Sequence, residues 1–205
     1  LAVVVDHPES GREVLREYVR TNRVVEGLTE LVARPSAYVA RFMDIAAART
    51  WARGRCDGPE TILAGHSMGA ATTLLEAGAK NRLGLTGSDA FDAYIALSPQ
   101  GPGSIFPPDA WQNIRKPVLS ITGTRDGALG AQSWETRLAP FANLPGGCQW
   151  QLVVQEATHM HFAGTGGSAR TEALVLPVIA GFLDGARRKD CAPIATGAGA
   201  ALQTK

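Results

Sequence analysis

The sequence predicts an α/β fold in one domain, with a mostly parallel sheet flanked by helices. Short apolar runs alternate with stretches of helical periodicity along the chain, which is typical of parallel α/β sheets. One apolar run leads through Gly65-His66-Ser67-Met68-Gly69 into a helical stretch. The 205 residues, 45% hydrophobic and 19% charged, are enough for one globular domain with a substantial core.

Five buried strands are expected, from apolar runs bounded by turn residues. They span residues 1–6, 61–64, 93–97, 117–122 and 150–154. The first run, Leu1–Asp6, is continuous and β-branched, as in a strand that is covered on both faces. It has neither an initiator Met nor a polar lead-in, so we expect an N-terminally incomplete fold that lacks earlier strands and any targeting segment.

Helical periodicity predicts helices over residues 12–20, from Pro35 to about Trp51, after Gly69, and over residues 132–141 and 171–188. Pro177 falls inside the last of these helices, and we expect it either to kink the helix or to mark a helix start a few residues later. We assign residues 1–188 to the domain. Residues 189–205 are Ala-, Gly- and Thr-rich, and we expect them to form a poorly ordered tail.

Charge and hydropathy exclude several kinds of partner. The net charge of +1 gives no reason to expect a nucleic acid. No apolar run is long enough to span a bilayer, so no integral membrane segment is predicted. The oligomeric state stays open.

Three cysteines, Cys56, Cys148 and Cys191, match no metal-ligand spacing, and no metal site is predicted. Cys148 precedes the last predicted strand and Cys191 follows the last helix. A helix that runs antiparallel to that strand brings the two cysteines together, so the alternatives are a disulfide and isolated thiols. The compartment is undetermined, and a disulfide would indicate an exported, periplasmic or secreted protein.

The Gly-x-Ser-x-Gly motif predicts a sharp strand-to-helix turn that exposes the Ser67 hydroxyl as a nucleophile. We expect both Gly65 and Gly69 to be required, because the turn brings backbone segments close together. The backbone N–H of Met68 is expected to be one oxyanion donor. The second donor usually lies on a loop after an earlier strand, and we expect that loop to be missing from this chain.

An acid and a base follow two later strands. Asp126 comes after the strand at 117–122 and His159 after the last strand. The carboxyl ends of parallel strands lie at one edge of a sheet, so we expect both residues near Ser67. His159 would be the general base and Asp126 would orient it. Two alternatives remain: Asp126 as a turn cap, and His161 as the base.

Four residues flank the predicted catalytic loops and are candidates for substrate binding: His66, Trp134, Met160 and Phe162. His66 occupies the variable position of the motif, where a structural role is the alternative. Ordinary packing is the alternative for the other three.

Several segments resemble the dienelactone-hydrolase-like branch of the α/β-hydrolases, and also the platelet-activating-factor acetylhydrolase and cutinase-like groups. The resemblance covers residues 1 to about 188 and lies in residues 5–8, 34–35, 65–69, 117–126 and 157–162. It implies the α/β-hydrolase fold, a Ser67–Asp126–His159 triad and ester hydrolysis without a cofactor. Two departures stand out: Ser67 replaces the cysteine nucleophile of dienelactone hydrolases, and the family's His-Gly oxyanion loop is missing.

The sequence therefore favours a serine hydrolase that cleaves small carboxylic esters, with short acyl chains, through an acyl-enzyme on Ser67. Lipid-ester, thioester or amide hydrolysis on the same fold is an alternative. A non-catalytic binding protein is another.

Overall fold

The computed structural model describes residues 1–21, 24–56, 58, 60–127, 133–163 and 168–205. Within these residues, five strands form one sheet in sequential order. They are β1 (Ile62–His66), β2 (Ala93–Leu97), β3 (Val118–Arg125), β4 (Gln149–Thr158) and β5 (Ala200–Thr204). β1 to β4 are parallel and β5 is antiparallel to β4. The predicted mostly parallel sheet is confirmed and is consistent with the α/β-hydrolase fold.

Six α-helices accompany the sheet in the described part of the chain. They are α1 (Arg12–Arg20), α2 (Val24–Val32), α3 (Pro35–Arg53), α4 (Met68–Glu76), α5 (Ala139–Asn143) and α6 (Ala169–Arg188). α6 begins after Ser168, whose hydroxyl accepts the Thr171 N–H at 3.3 Å, and continues past Pro177. None of the described helices has the length and hydropathy needed to cross a membrane.

The helix predicted over residues 132–141 differs from the structure. Gln132 lies outside the described residues. Trp134–Leu138 form a 3₁₀ helix that leads directly into α5. Pro140 occupies the first turn of α5, where its missing N–H has no helical partner to lose.

The core lies on both faces of the sheet, and β2 shows why. Tyr94 and Ala96 pack into a cluster with α4, whereas Ala93 and Ile95 pack into a second cluster with α6. Successive side chains of a strand point to opposite faces, so both faces of β2 are covered. This double burial accounts for the continuous apolar run that predicted the strand.

The prediction of a buried strand at Leu1–Asp6 is wrong. These residues form neither a helix nor a strand, and Val4 is 96% exposed. An apolar run becomes a strand only where another strand accepts its backbone hydrogen bonds. Among the described strands, β1 pairs with β2 alone, and residues 1–6 do not extend the sheet beyond it.

The prediction of a poorly ordered C-terminal tail is wrong for Ala200–Thr204, which form β5 along the outer edge of β4. Leu202 packs against the cluster beneath α6, and Lys205 exchanges backbone hydrogen bonds with Gln149 at 3.0 and 3.1 Å. Composition suggested disorder, but an unpaired strand edge supplies the hydrogen-bond partners that these residues need.

Cys148 and Cys191 are joined in a disulfide, and their Cα atoms lie 5.3 Å apart. The bond ties the start of β4 to the chain just after α6. Cys56 is free and exposed.

We predict that the double variant Cys148→Ser/Cys191→Ser loses stability. The bond closes a loop with a sequence separation of 43, and the chain-entropy relation for such a loop gives about 4 kcal/mol. Urea unfolding without reductant measures the loss. Cys56→Ser is the matched control and should unfold like the parent. A double variant as stable as the parent would contradict the prediction.

Candidate active site

Ser67 occupies the turn between β1 and α4 with a strained backbone, φ 56° and ψ −117°. A residue other than glycine keeps a positive φ only where the surrounding structure stabilises that backbone conformation. Here the Ser67 N–H donates to the Leu97 carbonyl at 3.0 Å, and the Ser67 carbonyl accepts the Ala71 N–H at 3.1 Å. The first bond ties the turn to the end of β2, and the second starts α4.

The two glycines of the motif are not equivalent. A Cβ on Gly65 would lie 2.2 Å from the Gly69 carbonyl oxygen, so the turn excludes any side chain there. A Cβ on Gly69 would meet nothing within 4 Å. The expectation that both glycines are required is therefore correct for Gly65 and wrong for Gly69. Gly69 already belongs to the first turn of α4, which faces open space.

Asp126 and His159 lie at the carboxyl ends of β3 and β4 and contact each other. His159 Nδ1 is 2.8 Å from Asp126 Oδ1. The second carboxylate oxygen accepts the Thr122 hydroxyl at 2.9 Å. A carboxylate accepts hydrogen bonds, so the proton is assigned to Nδ1 of His159 and Nε2 keeps its lone pair.

The Asp126 side chain has no exposed surface. Burial by itself raises the pKa of a carboxyl group. At Asp126 the hydrogen bond from His159 and the charge of Arg137 outweigh burial, and the pKa lies below its usual value. Asp126 is therefore ionised at neutral pH and can stabilise a positive charge on the imidazole.

His66 contacts His159 through a hydrogen bond and through its ring. Its Nε2 donates to the His159 carbonyl at 3.0 Å, and the two ring centroids lie 4.5 Å apart. Burial, and then the neighbouring His159, lower the pKa of His66 to about 4. The ring is neutral near pH 7 and adds no charge to the site.

His161, the alternative base, is engaged in the 3₁₀ turn that follows β4. Its Nδ1 accepts the Thr158 N–H at 3.3 Å in a capping box. His159, not His161, contacts the buried carboxylate.

Arg137 is the site residue that the sequence reasoning missed. It lies on the 3₁₀ helix before α5, its side chain is 3% exposed, and its Nε is 3.1 Å from Asp126 Oδ1. Its sequence context, Glu-Thr-Arg-Leu, is that of an ordinary helix surface. The only sequence signal for its burial is Asp126, which lies at the end of β3. A buried carboxylate needs a positively charged partner, but the sequence does not say which arginine supplies it.

Ser67, His159 and Arg137 line one cavity of about 340 Å³. The loop after β2 supplies half of the lining residues, and α2 supplies two. The remaining lining residues are Thr29, Val32, Gln100, Gly101, Pro102, Gly103, Ser104, Ile105 and Gly127. A larger cavity of about 640 Å³, between α6 and the start of β1, contains neither a serine nor a histidine.

The four predicted substrate-binding residues do not line this cavity in the described part of the chain. His66 contacts His159 instead, as described above. Trp134 is half-buried on the 3₁₀ helix, Met160 is 53% exposed, and Phe162 packs into the core cluster beneath α6.

Met68 is the first residue of α4, so its N–H is one of the amides without a partner inside the helix. The Ser67 hydroxyl and His159, both described, make no direct hydrogen bond. The role of the Met68 N–H as an oxyanion donor stays a prediction, as does the expectation that the second donor is missing from this chain. Among the described residues, no cluster of His, Cys, Asp or Glu is arranged to hold a metal ion.

Comparison with known proteins gives one solved structure to report. It is an alpha-beta serine hydrolase homologue from Coxiella burnetii, with a TM-score of 0.43 and 17% identity over 62% of this chain. This chain spans about half, 53%, of the length of that protein. No protein-family model matches, and no curated protein matches. The chemical inference below therefore rests on the side chains around Ser67.

We predict opposite outcomes for alanine at the two glycines. Gly65→Ala forces the elbow backbone apart and should cost about 2 kcal/mol or more. Gly69→Ala is the matched control and should change the free energy of unfolding by less than about 1 kcal/mol. Chemical denaturation measures both. Equal losses in the two variants would refute the assignment of the close contact to Gly65.

We also predict a pH-dependent contribution of His66 to stability. The unfolded chain protonates this histidine near its ordinary pKa of about 6.5, whereas the folded protein does so only near pH 4. The unfolded state thus binds more protons between these values, and stability falls as pH drops through that window. Urea unfolding across pH 4–7 should show a shallower fall for His66→Gln. Parallel curves for the two proteins would contradict this.

Proposed function

We propose that this chain forms the catalytic part of a serine hydrolase that cleaves carboxylic esters through an acyl-enzyme on Ser67. One observation carries the proposal: the His159–Asp126 contact of 2.8 Å at a cavity that Ser67 also lines. The strained turn that presents Ser67 adds support, because such strain is concentrated at functional sites.

The mechanism follows from the roles that these atoms can take. The Ser67 oxygen attacks the ester carbonyl while Nε2 of His159 accepts its proton. Asp126 stabilises the imidazolium, and the Met68 N–H faces the developing oxyanion. The intermediate collapses, and His159 protonates the leaving alcohol. Water then attacks the acyl-enzyme by the same steps in reverse, which releases the acid and restores Ser67.

The missing Ser67–His159 hydrogen bond is compatible with this mechanism, because such bonds are often long in free enzymes and tighten when substrate binds. It is also the observation that favours a second candidate, a non-catalytic binding protein of the same architecture. The two candidates differ in whether Ser67 reacts with an acylating or phosphonylating reagent.

The cavity supports small substrates. Its 340 Å³ lies near the lower end of the range of about 300–1,000 Å³ typical of ligand pockets. Gln100 lines the cavity, and its Oε1 is a buried atom without a hydrogen-bond partner among the described residues. A panel of short-chain esters, thioesters, amides and lipid esters separates the remaining substrate classes.

We predict that Ser67→Ala abolishes turnover of p-nitrophenyl acetate, with kcat/KM falling by about 10⁴-fold or more, because the nucleophile is lost. Ser36→Ala is the matched control, since Ser36 is exposed on α3 and does not line the cavity, and it should keep the parent activity. A fluorophosphonate probe should label the parent and Ser36→Ala but not Ser67→Ala.

Undiminished hydrolysis by Ser67→Ala would disprove the assignment. A folded parent protein that neither hydrolyses the ester nor reacts with the probe would favour the binding protein.

A further inference from the structure

We propose that Arg137 is a positioning residue, which clamps the loop carrying Asp126 against the loop after β2 and so sets the alignment and charge of the Asp126–His159 pair. This inference rests on the proposed function. It concerns a residue that no motif in the sequence singles out.

The Arg137 side chain is deeply buried, and its guanidinium has several hydrogen-bond acceptors. Besides its ion pair with the Asp126 carboxylate, its guanidinium donates hydrogen bonds to four backbone carbonyls. The acceptors are Asp126 at 2.7 Å, Ser98 at 2.7 Å, Pro99 at 3.0 Å and Gly127 at 3.3 Å. Two of them belong to the loop after β2 and two to the loop after β3. The planar guanidinium group of Arg137 therefore fixes the distance between the two loops.

The clamp also reaches the nucleophile. Ser98 has a positive φ of 55° at the end of β2, a conformation that needs support from its surroundings. The carbonyl of the preceding residue, Leu97, accepts the Ser67 N–H. Arg137 thus holds the segment on which the elbow rests, as well as the loop that carries the acid.

The charge of Arg137 has a second effect. Its Nη2 lies 3.3 Å from His159 Nδ1, beside the atom that donates to Asp126. The arginine partly neutralises the carboxylate and opposes a positive charge on the imidazole. Without it, the Asp126 carboxylate would hold a positive charge on the imidazole more strongly, so a higher pH would be needed to free the base.

A purely structural ion pair is the competing explanation, and three variants separate the two. Arg137→Met removes the charge and the planar group, whereas Arg137→Lys keeps the charge but loses the planar group. Arg125→Met is the matched control: Arg125 is next to Asp126 in sequence, but it pairs with Glu156 at 2.9 Å and is 66% exposed.

The test measures kcat, KM and the pH dependence of kcat/KM for p-nitrophenyl acetate on the full chain. For Arg137→Met we expect kcat to fall by about 10²-fold through misalignment, with a smaller change in KM and with the acidic limb displaced to higher pH. For Arg137→Lys we expect a reduced kcat and an acidic limb that stays in place. Arg125→Met should match the parent in all three quantities.

Two results would overturn the inference. One is a folded Arg137→Met whose kcat and acidic limb equal those of the parent. The other is an activity loss in Arg137→Met that matches its unfolded fraction, with the limb unmoved. If Arg137→Met does not fold, Arg137→Lys decides: parental kcat in a folded lysine variant overturns the clamp.

Proton NMR separates failure of this inference from failure of the proposed function. The His159 Nδ1–H resonance reports the contact with Asp126 whether or not the protein turns over ester. We expect it to move or broaden in Arg137→Lys and to stay unchanged in Arg125→Met. A parent that neither hydrolyses the ester nor reacts with the fluorophosphonate probe, but shows this pattern, would disprove the hydrolase and retain the positioning role. An unchanged resonance in Arg137→Lys would disprove the role.

Discussion

The ionised carboxylate of Asp126, which has no exposed surface, is the constraint on which this site depends. A buried charge is tolerated only when it is paired and hydrogen-bonded. Three side chains from three places in the chain meet that demand: Thr122 from β3, His159 after β4, and Arg137 from the 3₁₀ helix. The same contacts hold together the strand ends that surround Ser67. The contacts that stabilise the Asp126 charge therefore also shape the cavity.

Much of the fold follows from local pattern. β2 matches its predicted bounds at 93–97 because both of its faces are buried, which makes its sequence uniformly apolar. Leu1–Asp6 has the same pattern but forms no strand, and Ala200–Thr204 lacks the pattern but forms one. Strand formation at the two margins depended on pairing with an edge of the sheet, and single-sequence periodicity does not contain that information.

The candidate site, like the fold, has one part that the sequence pattern predicts and one part that it does not. Ser67, Asp126 and His159 are predictable because strand ends in a parallel sheet gather at one edge, and the structure brings their loops together as that rule expects. Arg137 and the cavity wall are not predictable in this way. Arg137 acts chiefly on backbone carbonyls, which every residue possesses, so its partners leave no trace in the sequence. The wall is a Gly- and Pro-rich loop that composition marks only as irregular.

β5 has a consequence for the order in which the protein matures. It lies at residues 200–204 and completes the sheet beside β4, the strand that precedes His159. A ribosome releases the chain from its N-terminus, so β4 emerges long before its outer neighbour. During that interval the edge of β4 is open to other chains. His159 thus follows a strand whose outer edge is covered only after residues 200–204 have been synthesised, so a partly synthesised chain is prone to mispairing at that edge.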